Sequence, residues 1–165
     1  MKDDEFWMRA ALSEAQNCLR SPDSSQNDVP VGAICVHDGE IVGRGHNRRE
    51  IDHNPTSHAE VLALQDAARF LERHNLDGVT LYVSLEPCPM CAGAIWISRV
   101  SRLVFGAWDE KAGACGSVFD VVRDPRLNHR AQMRGGVLQA ECSAILREFF
   151  ESQRESQRLQ SRQKN

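Results

Sequence analysis

Apolar side chains recur at helical spacing through Phe6, Trp7, Met8, Ala11, Leu12, Ala15, Cys18 and Leu19, and the run Ser21-Pro22-Asp23-Ser24-Ser25 then breaks the pattern. This predicts a first helix and its exit loop. Val31 to Val36 and Glu40 to Gly45 are rich in β-branched residues and are separated by His37-Asp38-Gly39, where Asp-Gly tolerates the positive φ of a tight turn. They read as an antiparallel hairpin. After a polar stretch from Arg48 to Pro55, a second helix is predicted from His58 to His74, with Val61, Leu62, Leu64, Ala68 and Leu71 available for burial, ending at Asn75 to Gly78. Val79 to Leu85 is a third strand, Pro89 to Ser98 a short helix with proline near its start, and Leu103 to Gly106 a fourth strand. Strand, helix, strand in this order is a crossover, which implies parallel pairing in a central sheet covered by helices. Gly116 to Gly136 reads as irregular and Val137-Leu138 as a short fifth strand. Cys142, Ile145, Leu146, Phe149 and Phe150 mark the apolar face of a last helix, and beyond Ser152 the chain is polar and is expected to fray.

The chain has 165 residues, the size of one domain, and a core of that size needs no metal or disulfide to hold it together. Hydrophobic residues at 41% and charged residues at 26% exclude a disordered, collagen-like or membrane-spanning chain. Against 20 Lys and Arg stand 23 Asp and Glu, so any surface for nucleic acid must be local. The start, Met1-Lys2-Asp3-Asp4-Glu5, is acidic where a secretory signal is basic, and no apolar run reaches the roughly 20 residues of a membrane span. A cytoplasmic location without membrane attachment is expected, with the six cysteines reduced.

Two short motifs carry chemistry: His58-Ala59-Glu60 at the start of the second helix, and Pro87-Cys88-Pro89-Met90-Cys91 at the start of the third. One imidazole and two thiolates are a zinc donor set, and two cysteines three apart at a helix start can aim both sulfurs at one ion. The partial positive charge of a helix N-terminus favours the thiolates. Three protein ligands leave a position open, as in catalytic sites, and zinc then lowers the pKa of bound water towards about 7. Glu60 lies about 200° around the helix from His58. It is poorly placed to share the ion but suits a proton shuttle in hydrolytic deamination of an amino-substituted ring. H-x-E with P-C-x-x-C is the zinc-deaminase signature.

Other readings of the same residues exist. Ser57 and Glu60 fit a capping box, and Cys88 with Cys91 fits a redox pair or half of a structural zinc site completed by Cys115 or Cys142. Neither alternative calls for His-Ala-Glu at a second helix start. Gly43-Arg44-Gly45 and Gly113-Ala114-Cys115-Gly116 lack the spacing of a phosphate-binding loop. Cys18 and Cys35 read as core filler.

From about Phe6 to Phe150 the sequence resembles the bacterial tRNA-specific adenosine deaminases of the cytidine-deaminase-like fold. The resemblance rests on Val29-Pro30-Val31-Gly32-Ala33, Gly45-His46-Asn47-Arg48, Pro55-Thr56-Ser57-His58-Ala59-Glu60, Leu85-Glu86-Pro87-Cys88-Pro89-Met90-Cys91-Ala92-Gly93-Ala94 and Val104-Phe105-Gly106-Ala107. It implies an α/β fold, a three-layer α/β/α sandwich with a mixed five-stranded sheet, over residues 1–151, with 152–165 a polar tail. It implies one zinc ion per subunit on His58, Cys88 and Cys91, with Glu60 as the catalytic proton shuttle. Asn47 would hydrogen-bond a flipped adenine, Val29 would wall the pocket and Asp109 would approach a neighbouring ribose. Apart from the resemblance, Phe149 and Phe150 could stack on an RNA base, Phe150 being the candidate for that contact, while their phase with Cys142, Ile145 and Leu146 favours core packing for at least one of the two. The implied substrate is the wobble adenosine of an arginine tRNA anticodon loop, and the implied assembly a homodimer. A deaminase of a free base such as guanine, and a non-catalytic zinc-stabilised RNA-binding module, are the alternatives. Arg123, Arg126, Arg130 and Arg134 in one loop, and Arg147, Arg154, Arg158, Arg162 and Lys164 in the tail, offer local basic surface, with Glu148, Glu151 and Glu155 interleaved in the tail.

Overall fold

A computed structural model describes residues 2–20 and 27–163. The predicted exit loop at Ser21 to Ser25, and Lys164, lie outside them. Helices α1 (Asp4–Ala15) and α2 (Asn17–Arg20) precede the hairpin of β1 (Gly32–His37) and β2 (Glu40–His46). Then follow α3 (Ala59–Phe70), β3 (Thr80–Leu85), α4 (Pro89–Ile97), β4 (Arg102–Ala107), β5 (Gln132–Arg134) and α5 (Gln139–Gln163). The hairpin turn places Asp38 at φ 49° and Gly39 at φ 75°, the two positive values that a two-residue turn between right-twisted strands requires.

The sheet order is β2-β1-β3-β4-β5. β1 pairs antiparallel with β2 and β3, whereas β3, β4 and β5 run parallel. Strand alternation divides the core in two. Ala33, Cys35, Leu81, Val83, Leu103 and Phe105 face α3 and α4, while Ile34, Val36, Tyr82 and Val104 face α1 and α5. This is the three-layer α/β/α sandwich with a mixed five-stranded sheet.

α3 lies flush on β2. A Cβ on Gly43 would stand 2.4 Å from the Ala63 carbonyl oxygen, and one on Gly45 2.3 Å from that of Ala59. Only glycine permits this approach, so the sequence of β2 fixes how closely α3 packs on it. α3 ends earlier than the predicted His74, at Phe70, because Glu72 turns into the left-handed region at φ 52°.

Two further boundaries differ from the sequence reading. The fifth strand is Gln132–Arg134, not Val137-Leu138. Leu138 has φ 52° and cannot extend a ladder, and Val137 is buried against the α1/α5 side of the sheet. The polar stretch after Ser152 continues α5 without a break to Gln163. Its Glu, Gln, Arg and Leu residues are good helix formers, which sustain the helix without a buried face.

Asp4 ties α1 to the parallel half of the sheet. Its carboxylate accepts from Arg102 Nη1 and Nη2 at 2.7 and 2.8 Å, from Arg134 Nη1 at 2.6 Å and from the Tyr82 hydroxyl at 3.0 Å. The Arg102 guanidinium, against the opposing effect of burial, holds the Asp4 carboxyl far below the ordinary carboxylate range. A depressed folded-state pKa stabilises above the unfolded value of about 3.9, and that contribution is lost as pH falls below it. Asp4→Asn should therefore cost about 1–3 kcal/mol at pH 7, and the gap from the parent should narrow below about pH 4. Urea unfolding of both proteins from pH 7 to pH 2 measures it; a gap independent of pH would refute the charge-based account.

Candidate active site

His58 is the N-cap residue of α3, with extended backbone at φ −81° and ψ 150°, and Cys88 is the N-cap of α4, at φ −73° and ψ 172°. Pro89 opens α4 where its missing N–H is harmless, and Cys91 sits in the first turn. Two helix N-termini thus bring their partial positive charge to one place. His58 Nδ1 lies 3.6 Å from Cys88 Sγ and 3.4 Å from Cys91 Sγ. With metal–sulfur and metal–nitrogen bonds of about 2.3 and 2.0 Å, a tetrahedral ion requires nitrogen–sulfur edges of about 3.5 Å. The donor set fits one such ion. Among the described residues His58, Cys88 and Cys91 form a group of three whose ligand atoms all lie within 4.8 Å of one another.

Hydrogen bonding from Cys91, and then from His58, pulls the Cys88 thiol down to about 4. Two sulfurs and one imidazole nitrogen are a donor set suited to a thiophilic divalent cation. Glu60, in the first turn of α3, is 4% exposed, and burial pushes its carboxyl up to about 7. Cys88, His58 and Glu60 open onto a cavity of about 280 Å³, at the small end of small-molecule sites and suited to a single ring system. Val29, Asn47, Asp109 and Phe150 line the same cavity. Asn47 follows β2; its backbone N–H donates to the Val31 carbonyl at 3.0 Å and its Nδ2 to the Val29 carbonyl at 3.2 Å. Its Oδ1 is buried and has no hydrogen-bond partner among the described residues.

The sequence profile of the MafB19-like deaminases matches residues 2–154. The tRNA-specific adenosine deaminase of Bacillus subtilis is 42% identical over 158 residues, covering 96% of this chain and 95% of the relative. The chain belongs to the tRNA-specific adenosine deaminase family. A structure from studies of A-to-I editing by tRNA:A34 deaminases at the wobble position of transfer RNA matches this family member with a TM-score of 0.77 at 37% identity, over 84% of this chain and 97% of that one. Guanine deaminase from Nitrosomonas europaea matches with a TM-score of 0.71 at 27% identity, over 90% of this chain and 85% of that one.

Several alternative roles of the motif residues fall away in this member of the family. The N-cap of α3 is His58, not Ser57, and the Ser57 backbone N–H donates to the Asn54 carbonyl, so Glu60 closes no capping box. Cys115 packs in the α3/α4 core and Cys142 on the opposite side of the sheet; neither joins the His58 group. None of the six cysteines is joined in a disulfide. The basic loop is largely spent internally, with Arg123 paired to Asp120, Arg126 to Asp124 and Arg134 to Asp4. Phe149 is buried, whereas its neighbour Phe150 is 47% exposed at the cavity mouth.

Sequence reasoning gave no role to Arg49, Leu85, Glu86 or Ala112, which also line the cavity. Glu86 had a readable signal, an acidic residue that ends an apolar strand immediately before the Pro-Cys turn.

Protein dialysed against zinc-free buffer should retain one zinc ion per chain. Replacing His58, Cys88 or Cys91 by alanine should weaken retention more than about 100-fold, since losing even an outer-shell partner costs about 10–100-fold. Elemental analysis across a chelator titration reads this, with Cys115→Ala and Cys142→Ala expected to keep the metal. Loss of zinc from either control would reassign the ligand set.

Proposed function

We propose that this protein is a zinc-dependent deaminase that hydrolyses adenosine to inosine, with release of ammonia, at the wobble position of a tRNA anticodon. The observation that carries the reading is a buried carboxylate, Glu60, set beside the His58, Cys88 and Cys91 donors in a base-sized cavity. The 42% identity to a tRNA-specific adenosine deaminase over nearly the whole chain supports the choice of substrate.

His58 Nδ1 and the sulfurs of Cys88 and Cys91 would hold the zinc ion, which would supply Lewis acidity for activating water near neutral pH. The side chains do the rest. Glu60 accepts a proton from the attacking water and delivers protons to the ring nitrogen and to the amine that leaves. Its burial raises its proton affinity into the range where both transfers are accessible. Asn47 Oδ1 is an acceptor for an N–H of the base, since the Nδ2 of the same amide is committed to Val29. Val29 and Phe150 offer apolar walls, and Asp109, which lines the same cavity, is assigned to the ribose of the substrate.

A polynucleotide substrate is supported by the shape of the mouth. Phe150 also lines an adjoining groove with Lys111, Gln153, Arg154 and Gln157, so a strand flanking the buried base has an aromatic and a basic surface to follow. A base in an anticodon loop is already unpaired, and extruding it costs little. No helix among the described residues is long and apolar enough to cross a membrane, and the proposed site of action is the cytoplasm.

The working unit is proposed to be a homodimer joined through α4. Its outer face shows Met90 and Ile97, two turns apart and 36% and 70% exposed, with open space above Gly93 between them. Ile97→Asp should halve the molar mass measured by light scattering; an unchanged mass would move the interface elsewhere.

The likeness to a guanine deaminase supplies a second reading, deamination of a free base. Incubation with an anticodon stem-loop should yield inosine and ammonia, and free guanine should yield none. Glu60→Gln should lower turnover at least about 100-fold while keeping zinc. Ammonia from guanine alone would replace the tRNA reading, and full turnover by Glu60→Gln would remove Glu60 from the chemistry.

A further inference from the structure

Glu86 is 2% exposed, carries a carboxylate, and has no part in the chemistry above. It directly follows β3, and its backbone N–H continues the ladder by donating to the Ala107 carbonyl at 2.8 Å. Its side chain gathers the loop after β4. Oε2 accepts the Asp109 backbone N–H at 2.9 Å and the Ser117 hydroxyl, and Oε1 accepts the backbone N–H groups of Cys115 and Ser117 at 3.1 and 3.0 Å. Four donors meet the roughly four lone-pair sites of an ionised carboxylate, so the group is saturated. The loop lies directly on it: a Cβ on Gly113 would stand 2.3 Å from Glu86 Oε2. The adjoining Pro87 carbonyl accepts the Ala114 N–H at 2.8 Å, which ties the same loop to the residue before Cys88.

The loop so held is a wall of the cavity. Asp109 and Ala112 both line it, and Asp109 Oδ1 in turn accepts the N–H groups of Lys111 and Ala112 at 3.0 and 3.1 Å. One buried carboxylate therefore sets the distance between the Cys88 turn and the Asp109 wall. We propose that Glu86 is a positioning residue for substrate binding, acting through Asp109, whose backbone N–H it holds so that Asp109 keeps its place in the cavity wall. This rests on the function proposed above.

Glutamine in place of Glu86 keeps the shape but offers one acceptor oxygen and turns an NH₂ towards backbone N–H donors. Losing charge-assisted bonds of this kind should raise KM for the anticodon stem-loop about tenfold, with kcat within about threefold of the parent and one zinc ion retained. Asp109→Ala should raise KM comparably. The double variant should be no worse than Glu86→Gln alone, because both changes remove one device. A merely structural role would lower the melting temperature without this KM selectivity and without coupling to Asp109. An unchanged KM in Glu86→Gln, or effects of the two substitutions that multiply, would overturn the proposal. Should Glu86→Gln not fold, Ser117→Ala removes a single donor: a KM rise of about threefold that disappears in the Asp109→Ala background supports the role, and an unchanged KM overturns it. Parent protein that releases no ammonia from the stem-loop would instead sink the substrate assignment, and the positioning role with it.

Discussion

The close approach of α3 to β2 is the constraint on which the site depends. Gly43 and Gly45 leave no space for a side chain between strand and helix, so the helix axis is set by backbone against backbone. A helix seated this way holds its N-cap residue, His58, in a fixed position beside the sheet. The second donor pair is delivered independently, by the crossover from β3 through α4 to β4, where Pro89 fixes the first turn. The metal group forms where these two placements meet, and its 3.4 and 3.6 Å edges express how well a sheet register and a helix packing distance agree. Loosening the helix by a side chain at Gly45 would separate ligands without touching any of them.

Around this rigid floor the walls of the cavity are irregular chain, and buried acceptors hold each wall down. Asp28 accepts the N–H groups of Glu50 and Ile51, which fixes the segment after β2. Ser84 Oγ accepts the Gly32 N–H, which anchors the entry to β1, and Glu86 gathers the loop after β4. Asp28, Ser84 and Glu86 are each 5% exposed or less. In such surroundings a hydrogen bond is stronger than in water, and an orphaned donor costs more. Loops that would otherwise vary in position are thereby given the definition of the sheet.

Much of this was legible in the sequence, for a physical reason. Metal chemistry restricts residue types and spacing severely, so His58, Cys88 and Cys91 could be read together, and strand alternation exposed the sheet. Contacts between backbones left no such trace: Gly43-Arg44-Gly45 could be judged only as a phosphate loop and discarded, although its glycines seat α3. Locally, Glu86 shows only as an acidic residue after an apolar strand; the four donors that give it a function come from 23 to 31 residues away and leave no trace beside it. The arginines from 123 to 134 read as a basic surface until their partners, one of them Asp4 at the far end of the chain, became visible. β5 escaped notice because a three-residue polar strand has no apolar alternation to detect.

That same brevity has a bearing on how the molecule behaves in a crowded solution. β5 forms one margin of the sheet, yet it offers only three residues, and Arg134 is drawn back over the sheet by Asp4. A passing extended chain finds too short a ladder and a charge in its way. Growth by stacking strand on strand into fibrils is thus discouraged at this margin of the sheet.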